Sequence, residues 1–245
     1  MEAPFWPAGQ NLSQFLFASA PPYPVKSCPM NCIVTAGPTY EPLDDVRRLT
    51  NFSTGRLGTE LANFLAAHGH SVTLLVSETA TWPGGRKAQT VRSFSSTKDL
   101  HQKMKSFSRK KVDAIFHAAA VSDFTFGKMY TRGAGGKITS FTPTKKISTR
   151  AGNFLVELVP TPKIIAELRG WFPRARVVGW KFEAEGGRAD ALRSARKQMA
   201  DCATDACVAN GPAYGKGFNL VTAQGEKHFA TAEKLFAGLQ HWLSR

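Results

Sequence analysis

Two kinds of segment alternate along this chain. In one kind the apolar residues are continuous, and in the other they recur every three or four positions. A continuous apolar run at 31–36 predicts a buried strand. Leu57, Leu61 and Leu65 follow at four-residue intervals, which predicts a helix with one buried face. A second apolar strand is expected at 71–77. Strand, helix and strand in this order predict a βαβ unit with a parallel sheet.

The alternation continues to the C-terminus. Helices are expected at 100–107, 162–169, 188–202 and 231–243, and strands at 112–120, 154–159, 176–182 and 205–210. Two short apolar segments, 218–222 and 227–230, predict an antiparallel hairpin. The fold class is therefore α/β, with a Rossmann-like and mostly parallel sheet flanked by helices, and with an added antiparallel hairpin near the C-terminus.

Residues 125–149 fit neither spacing. They combine scattered glycines with Lys and Thr and have no helical period. Loops of that length inside a compact domain are often active-site lids, so we expect a long mobile loop here.

The length and composition of the chain favour a single hydrophobic core. With 245 residues and 42% hydrophobic content, residues 30–245 can form a single α/β domain. Residues 1–29 are rich in Pro, Ser and Phe and lack the basic and apolar regions of a secretory signal, so we expect a weakly ordered extension. Because Met30 directly precedes the first strand, an over-extended gene start and a functional arm both stay open. No apolar stretch approaches the roughly 20 residues that span a bilayer, which predicts a cytoplasmic protein without a membrane partner.

The formal net charge of +14 fits either a nucleic-acid-binding protein or an enzyme with anionic substrates. The cations are spread over several segments instead of one stripe, so we expect most of them to be solvated and predict no nucleic-acid partner. Four cysteines, at positions 28, 32, 202 and 207, form no metal-type pair of pairs. Free thiols are expected.

The segment from Val34 to Gly58 is the first candidate for function. It leads from a strand through a polar, glycine-punctuated loop into a helix, and a helix N-terminus in that position attracts anions. Gly37 and Gly55 are much farther apart than the glycines of a dinucleotide-binding turn. Arg47 and Asn51 lie between them, so this loop offers hydrogen-bonding side chains to a substrate as well as bare backbone.

Four later segments accompany this loop. They are HAAAVSDF at 117–124, KIS at 146–148, TPKII at 161–165 and GWKFE at 179–183. In their order and spacing these segments resemble phosphopantothenoylcysteine synthetase, from about Asn31 to the C-terminus. The resemblance implies a stand-alone ligase that joins 4'-phosphopantothenate to L-cysteine in coenzyme A biosynthesis, with CTP or ATP activating the carboxylate. It also implies Mg²⁺ and a homodimer.

In many bacteria such ligases follow a flavin-dependent decarboxylase half. Residues 1–30 are too few to encode that half, so neither flavin nor decarboxylation is expected.

The resemblance assigns substrate and catalytic roles to four residues. Asn51 would orient the carboxylate and its acyl-nucleotide intermediate, although an Asn before Ser53 also fits a simple turn cap. Arg47 would bind a carboxylate or phosphate, and Ala120 would contact the substrate. Lys146 would neutralise the triphosphate as pyrophosphate leaves.

Three other positions complicate these assignments. Arg48 beside Arg47 is expected on the surface. Lys145 makes the register of Lys146 uncertain, while Lys137 repeats the Lys-Ile pair but lies at the wrong distance from 161–165.

The resemblance also predicts a nucleotide site, at His117, Ala118, Ala119, Asp123, Lys146, Pro162, Lys163, Ile164, Ile165, Trp180 and Lys197. Asp123 would bind ribose hydroxyls or a magnesium-bound water, and no metal ligands are identified. His117 is expected to be packed instead of acting as a base. Trp180 stands where the family usually has phenylalanine, and Cys202 departs from the family pattern, so the choice between CTP and ATP stays open.

Two other functions remain as alternatives. An NAD(P)-dependent oxidoreductase would use the βαβ opening, with Glu78 at the end of the second strand binding a ribose. The long loop and the lack of a Tyr and Lys catalytic pair oppose it. A basic nucleic-acid-binding module would need aromatic residues interleaved with Lys and Arg on one surface, whereas here most aromatics lie in apolar segments.

Overall fold

The computed structural model describes residues 28–142, 145–148 and 153–244. Most of the predicted N-terminal extension therefore lies outside the described residues. The strands are β1 Asn31–Ala36, β2 Tyr40–Pro42, β3 Arg48–Thr50, β4 Ser71–Ser77, β5 Thr90–Phe94, β6 Ala114–His117, β7 Phe124–Arg132, β8 Ile138–Phe141, β9 Asn153–Pro160, β10 Arg176–Phe182, β11 Ala206–Asn210, β12 Phe218–Thr222 and β13 Gly225–Phe229. The helices are α1 Arg56–Ala67, α2 Thr97–Ser106, α3 Ile164–Trp171, α4 Arg188–Cys202 and α5 Ala232–Leu243.

The central sheet has eight strands in the order β13-β12-β11-β10-β6-β1-β4-β5. The six strands from β5 to β11 in this order pair in parallel, and β12 and β13 add the antiparallel hairpin. The predicted fold class is confirmed. Between β1 and β6 the order of the strands reverses, because β4 and β5 lie on one side of β1 and the later strands lie on the other.

Alternating side chains of the parallel strands pack into two hydrophobic layers, one on each face of the sheet. Leu74, Val34, Phe116, Val178 and Ala206 form one row across the sheet, and all five are fully buried. This row packs in the layer that contains α1 and α5, whereas residues such as Ile33 and Ile115 face α2 and α3 on the opposite side. Burial on both faces explains why the strands read as continuous apolar runs.

The segment expected to be a mobile loop forms strands instead. Within 125–149 the chain builds most of β7 and all of β8, which pair with β9 as a separate three-stranded antiparallel sheet. Most of its side chains are exposed or half-buried, so the pairing leaves little hydrophobic alternation in the sequence. The strand predicted at 154–159 belongs to this sheet. Residues 143, 144 and 149 of the expected loop lie outside the described residues.

Strand β5 was also missed. Within Thr90–Phe94 only Phe94 is buried, as suits an edge strand, and the exposed positions gave no apolar pattern. The strand predicted at 112–120 is shorter than expected, since β6 ends at His117 and the following alanines form a loop.

Helix α1 begins directly after a glycine. The N-cap is Gly55 in the left-handed region, with φ 78°, and no side chain caps it. A Cβ at Gly55 would lie 2.9 Å from the Cβ of Ala80, so the tight packing as well as the backbone angle requires glycine here.

Helix α1 rests directly on β1 at Gly58. A Cβ added there would lie 2.7 Å from the Cβ of Ala36 and 2.8 Å from the carbonyl oxygen of Thr35. We expect Gly58→Ala to lower the free energy of unfolding by about 1–3 kcal/mol, because helix and strand must separate. Urea denaturation measures the change. Gly170→Ala in α3 is the matched control, since nothing lies within 4 Å of its added Cβ; it should be neutral or stabilise the protein by up to about 1 kcal/mol.

Candidate functional site

A cleft of about 1250 Å³ opens at the carboxyl ends of β1, β6, β10 and β11. It lies where the strand order reverses, which is the usual position of ligand sites in open parallel sheets. The residues that line it include Gly37, the segments 51–58, 117–124 and 160–165, the strand end 180–182, and Lys197, Gln198, Asp201, Asn210 and Phe218.

The floor of the cleft is a backbone contact between the loops that follow β1 and β6. Pro38 and Ala120 form a parallel bridge, in which the Ala120 N–H donates to the Gly37 carbonyl at 3.0 Å. The Thr39 N–H donates in turn to the Ala120 carbonyl at 3.1 Å. Small residues at 118–120 let the backbone itself reach the surface of the cleft.

Asn51 is fixed to this floor. Its side-chain amide donates to the carbonyls of Ala120 at 3.3 Å and Val121 at 3.1 Å. The preceding Thr50 hydroxyl donates to the Thr39 carbonyl at 2.9 Å. The amide nitrogen is therefore held by protein, while the residue stays exposed to the cleft and can meet a ligand with its oxygen.

Helix α1 points its N-terminus into the same cleft. Residues 53–58 line the cleft, and the first helical hydrogen bond runs from the Thr59 N–H to the Gly55 carbonyl at 3.1 Å. The N–H groups of Leu57 and Gly58 precede that bond and have no acceptor within the helix. With the helix dipole they favour an anion at this wall.

The opposite wall is formed by α3 and α4. Lys163 is the N-cap of α3, and Lys197 on α4 forms an ion pair with Asp201 at 3.0 Å. Lys181 on β10 pairs with Glu183 at 3.3 Å. Three lysines, one each from α3, α4 and β10, therefore border the cleft here, and two of them have carboxylate partners.

Two buried polar atoms in the cleft have no hydrogen-bond partner among the described residues. They are the indole nitrogen of Trp180 and the amide oxygen of Asn210. One is a donor and the other an acceptor, and both are covered by protein, so a bound ligand would reach them only after a local rearrangement.

His117 is a packed residue, as the sequence predicted. It is 6% exposed, and its Nδ1 shares a hydrogen bond of 3.1 Å with the Thr35 hydroxyl. Burial lowers the pKa of His117 to about 4. A base with that pKa is poorly matched to proton transfer near neutral pH.

The structure brings most of the predicted site residues to one cleft. Those that line it are Asn51, His117, Ala118, Ala119, Ala120, Asp123, Pro162, Lys163, Ile164, Ile165, Trp180 and Lys197. Arg47 and Lys146 are not among its lining residues. The Arg47 guanidinium instead donates to Asp44 and to the carbonyl of Ile147. The roles of all these residues stay predictions.

The sequence analysis missed other lining residues. Ser53, Gly55 and Gly58 were signalled by the glycine-punctuated loop before α1, but none was named as a site residue. Lys181 could not be found from strand alternation, because it follows Trp180 and so points to the opposite face of β10. Gln198 gave no signal of its own.

Carboxylates in the cleft are few and mostly paired. Glu60 pairs with Arg56 and Asp201 with Lys197, whereas Asp123 forms no ion pair with any described residue. No group of three or more His, Cys, Asp and Glu side chains among the described residues could hold a metal ion. In the same part of the chain no helix is long and apolar enough to cross a membrane.

Comparison with known families matches residues 29–234 to the DNA/pantothenate metabolism flavoprotein C-terminal domain. The chain belongs to this family. A coenzyme A biosynthesis bifunctional protein CoaBC from Thermococcus kodakarensis is 32% identical over 195 residues, which are 79% of this chain and 44% of that protein. A cysteine/cysteine sulfinic acid decarboxylase from an unknown prokaryotic organism is 34% identical over 119 residues, 47% of this chain and 33% of that protein. The chain thus spans less than half the length of these curated relatives.

Solved structures share the fold. The DNA/pantothenate metabolism flavoprotein from Streptococcus pneumoniae has a TM-score of 0.75 and 26% identity, over 87% of this chain and 98% of that one. A Cab2 variant in complex with phosphopantothenate-cysteine has a TM-score of 0.67 and 18% identity, covering 87% of both chains. These likenesses agree with the Rossmann-like architecture.

Burial of His117 predicts how stability depends on pH. The unfolded chain takes up a proton near the ordinary pKa of 6.5, whereas the native state resists it until about 4. The free energy of unfolding should therefore fall as pH falls between these values, by up to roughly 1.4 kcal/mol per pH unit. His117→Gln should flatten this slope in urea denaturation at a series of pH values. The exposed His241 gives a control variant, His241→Gln, whose slope should stay at the wild-type value.

Proposed function

We propose that this protein is a phosphopantothenate–cysteine ligase, which forms an amide bond through an acyl-nucleotide intermediate in coenzyme A biosynthesis. The observation that carries the proposal is the convergence of Asn51, Asp123 and the 162–165 segment on one cleft. Its volume of about 1250 Å³ exceeds the ~300–1,000 Å³ of most single-ligand sites, so a nucleotide and an acid can be held together.

The proposed reaction has two steps. The substrate carboxylate attacks the α-phosphorus of the triphosphate, a new C–O–P linkage forms, and pyrophosphate leaves with the electrons of the broken P–O bond. The cysteine amine then attacks the acyl carbon, the amide forms, and the nucleoside monophosphate leaves. Asn51 suits both steps, because an uncharged amide can bond first an anion and then a neutral anhydride.

The triphosphate would meet two kinds of positive group. Helix α1 offers its first N–H groups at one wall, and Lys163 and Lys197 face the cleft from the other. Mg²⁺ is usually bound by one or two carboxylates together with substrate phosphates, and Asp123 is the unpaired carboxylate that fits this need. When bound, the ion would screen the phosphates and assist departure of pyrophosphate. No flavin enters the proposed reaction.

We assign the nucleotide to the class CTP or ATP. Trp180 lines the cleft and has an indole face that can stack on a base. Both nucleotides fit this contact.

A homodimer is part of the proposal. Arg47 and Lys146 do not line the cleft of their own chain, and Val46, Leu49 and Phe52 around this loop expose apolar side chains. A second copy covering these side chains would bury them and complete the site with cations. A cytoplasmic location suits small, soluble substrates of this kind.

The oxidoreductase alternative finds less support. Its ribose-binding candidate Glu78 does not line the cleft and accepts a hydrogen bond from the Tyr40 hydroxyl at 2.5 Å. Gly37 and Gly55 stand at the two ends of the long loop in sequence, instead of in one tight dinucleotide turn.

The first test is an assay of pyrophosphate release coupled to a colour reaction. We expect sustained release to require 4'-phosphopantothenate, L-cysteine and Mg²⁺ together with CTP or ATP. Because pyrophosphate leaves in the first step, omission of L-cysteine alone should leave at most one turnover per site. A thermal-shift panel with CTP, ATP, NAD, NADP and a short DNA duplex separates the alternatives. Stabilisation by NAD or NADP alone would favour the oxidoreductase, and salt-sensitive binding of the duplex alone would favour the nucleic-acid module.

A second test concerns Asn51. Replacement by Ala removes the amide that bonds the floor of the cleft through its nitrogen and the ligand through its oxygen. We therefore expect kcat to fall by about 10²-fold or more with little change in melting temperature. Asn63→Ala, which removes a side-chain amide outside the cleft, is the control and should keep wild-type kcat. Full turnover by the Asn51→Ala enzyme would remove Asn51 from the mechanism.

A further inference from the structure

The tip of the β2–β3 hairpin is joined to the segment 145–148 by the side chains of Asp44 and Arg47, and Asp44 bonds both Arg47 and that segment. Although it lies in a surface loop, the Asp44 side chain is 0% exposed. Both of its oxygens accept hydrogen bonds, and the two oxygens have different partners. This division allows the two roles of the carboxylate to be separated.

Oxygen Oδ1 shapes the turn. It accepts from the backbone N–H groups of Val46 at 3.0 Å and Arg47 at 2.8 Å. This is the usual way in which an Asp or Asn side chain closes a turn two or three residues ahead, and it needs no negative charge.

Oxygen Oδ2 faces outward from the turn and binds three donors. They are the Nε of Arg47 at 3.0 Å, its Nη2 at 2.5 Å and the backbone N–H of Ile147 at 3.0 Å. The same Nη2 also donates to the Ile147 carbonyl at 2.7 Å. Carboxylate, guanidinium and peptide group thus form a closed ring of charge-assisted bonds across 100 positions of sequence.

Two further contacts fasten the segment 145–148. The Asp45 N–H donates to the Lys145 carbonyl at 3.1 Å, and Ile147 is only 4% exposed. Lys146 lies between these two anchored positions, and its own side chain is exposed. The arginine pairing holds the pKa of the Asp44 carboxyl well below its usual range, so the ring stays charged at every pH where the enzyme would work.

We propose that Asp44 is a positioning residue, which clamps the segment 145–148 to the β2–β3 turn so that Arg47 and Lys146 are presented as one unit. For its kinetic consequence this inference rests on the proposed function, in which Arg47 binds the substrate and Lys146 the triphosphate. The clamp itself is independent of any reaction.

The variant Asp44→Asn isolates the clamp. Asparagine keeps an oxygen for the turn, but it places an NH₂ group against the Arg47 guanidinium and the Ile147 N–H, where two donors then face donors. Asp45→Asn is the matched control, because the Asp45 side chain is exposed and only its backbone makes the contact with Lys145.

Limited trypsin digestion tests the clamp without any activity. Lys145 and Lys146 are exposed cleavage sites, and cleavage requires local release of the chain around them. We expect Asp44→Asn to be cut there about tenfold or more faster than wild type and Asp45→Asn, as mass spectrometry of the fragments identifies, with the melting temperature nearly unchanged. Equal cleavage rates in all three proteins would overturn the proposal.

Kinetics test the positioning role. Asp44→Asn should lower kcat/KM by about tenfold to a hundredfold and raise KM for both phosphopantothenate and the nucleotide, whereas a defect confined to the turn would leave both near wild type. Asp44→Glu, which keeps the charge, should recover part of the loss. Faster cleavage with unchanged kinetics in an active enzyme would overturn the positioning role. Faster cleavage in a protein whose wild type makes no amide would uphold the clamp and defeat the proposed function instead.

Discussion

The cleft depends on one backbone contact, the bridge between Pro38 and Ala120. Strands β1 and β6 are parallel neighbours that end at the same edge of the sheet, and this bridge links the loops that follow them. The carbonyl of Ala120 accepts from both the Thr39 N–H and the Asn51 amide. A single peptide group therefore sets the distance between the two loops and the position of the residue expected to hold the substrate acid.

Buried hydroxyl groups extend this contact into the protein. The Thr39 hydroxyl meets that of Thr97 at 3.1 Å and accepts from the Ser122 N–H at 2.8 Å. The Glu41 carboxylate accepts from the Thr97 N–H at 3.0 Å and from the Thr125 hydroxyl at 2.9 Å. Since unpaired buried polar groups are costly, a network satisfied in this way holds the floor in one geometry. The rigid floor contrasts with the cations, which lie on exposed side chains around it.

How much the sequence could predict follows from where each element buries its side chains. Strand β1, helix α1 and strand β4 pack into the core and were predicted, the two strands with their observed bounds, because burial imposes a pattern on the residues. Strands β7 and β8 are held by backbone pairing with mostly exposed side chains, so no period marks them. The clamp that holds the segment 145–148 to the β2–β3 turn includes a bond between Arg47 and Ile147, which are 100 residues apart. No local pattern in the sequence could have located it.

The same reasoning applies to the site. Motifs placed Asn51 and the 162–165 segment at one sheet edge because strand ends must meet there, whereas Lys181 was missed because its role depends on which face of β10 borders the cleft.

Most of the cations around the cleft are partnered by carboxylates, and this decides how an anion would bind. Lys197 pairs with Asp201, Lys181 with Glu183 and Arg56 with Glu60, and each pair is partly exposed. Exposed pairs contribute only about 0–1 kcal/mol, so replacing a carboxylate by a phosphate oxygen sacrifices little. Lys163 has no carboxylate partner among the described residues and needs no such exchange. Binding strength would then come from Lys163 and the α1 N–H groups, whereas the paired cations would adjust to the charge that develops as pyrophosphate leaves.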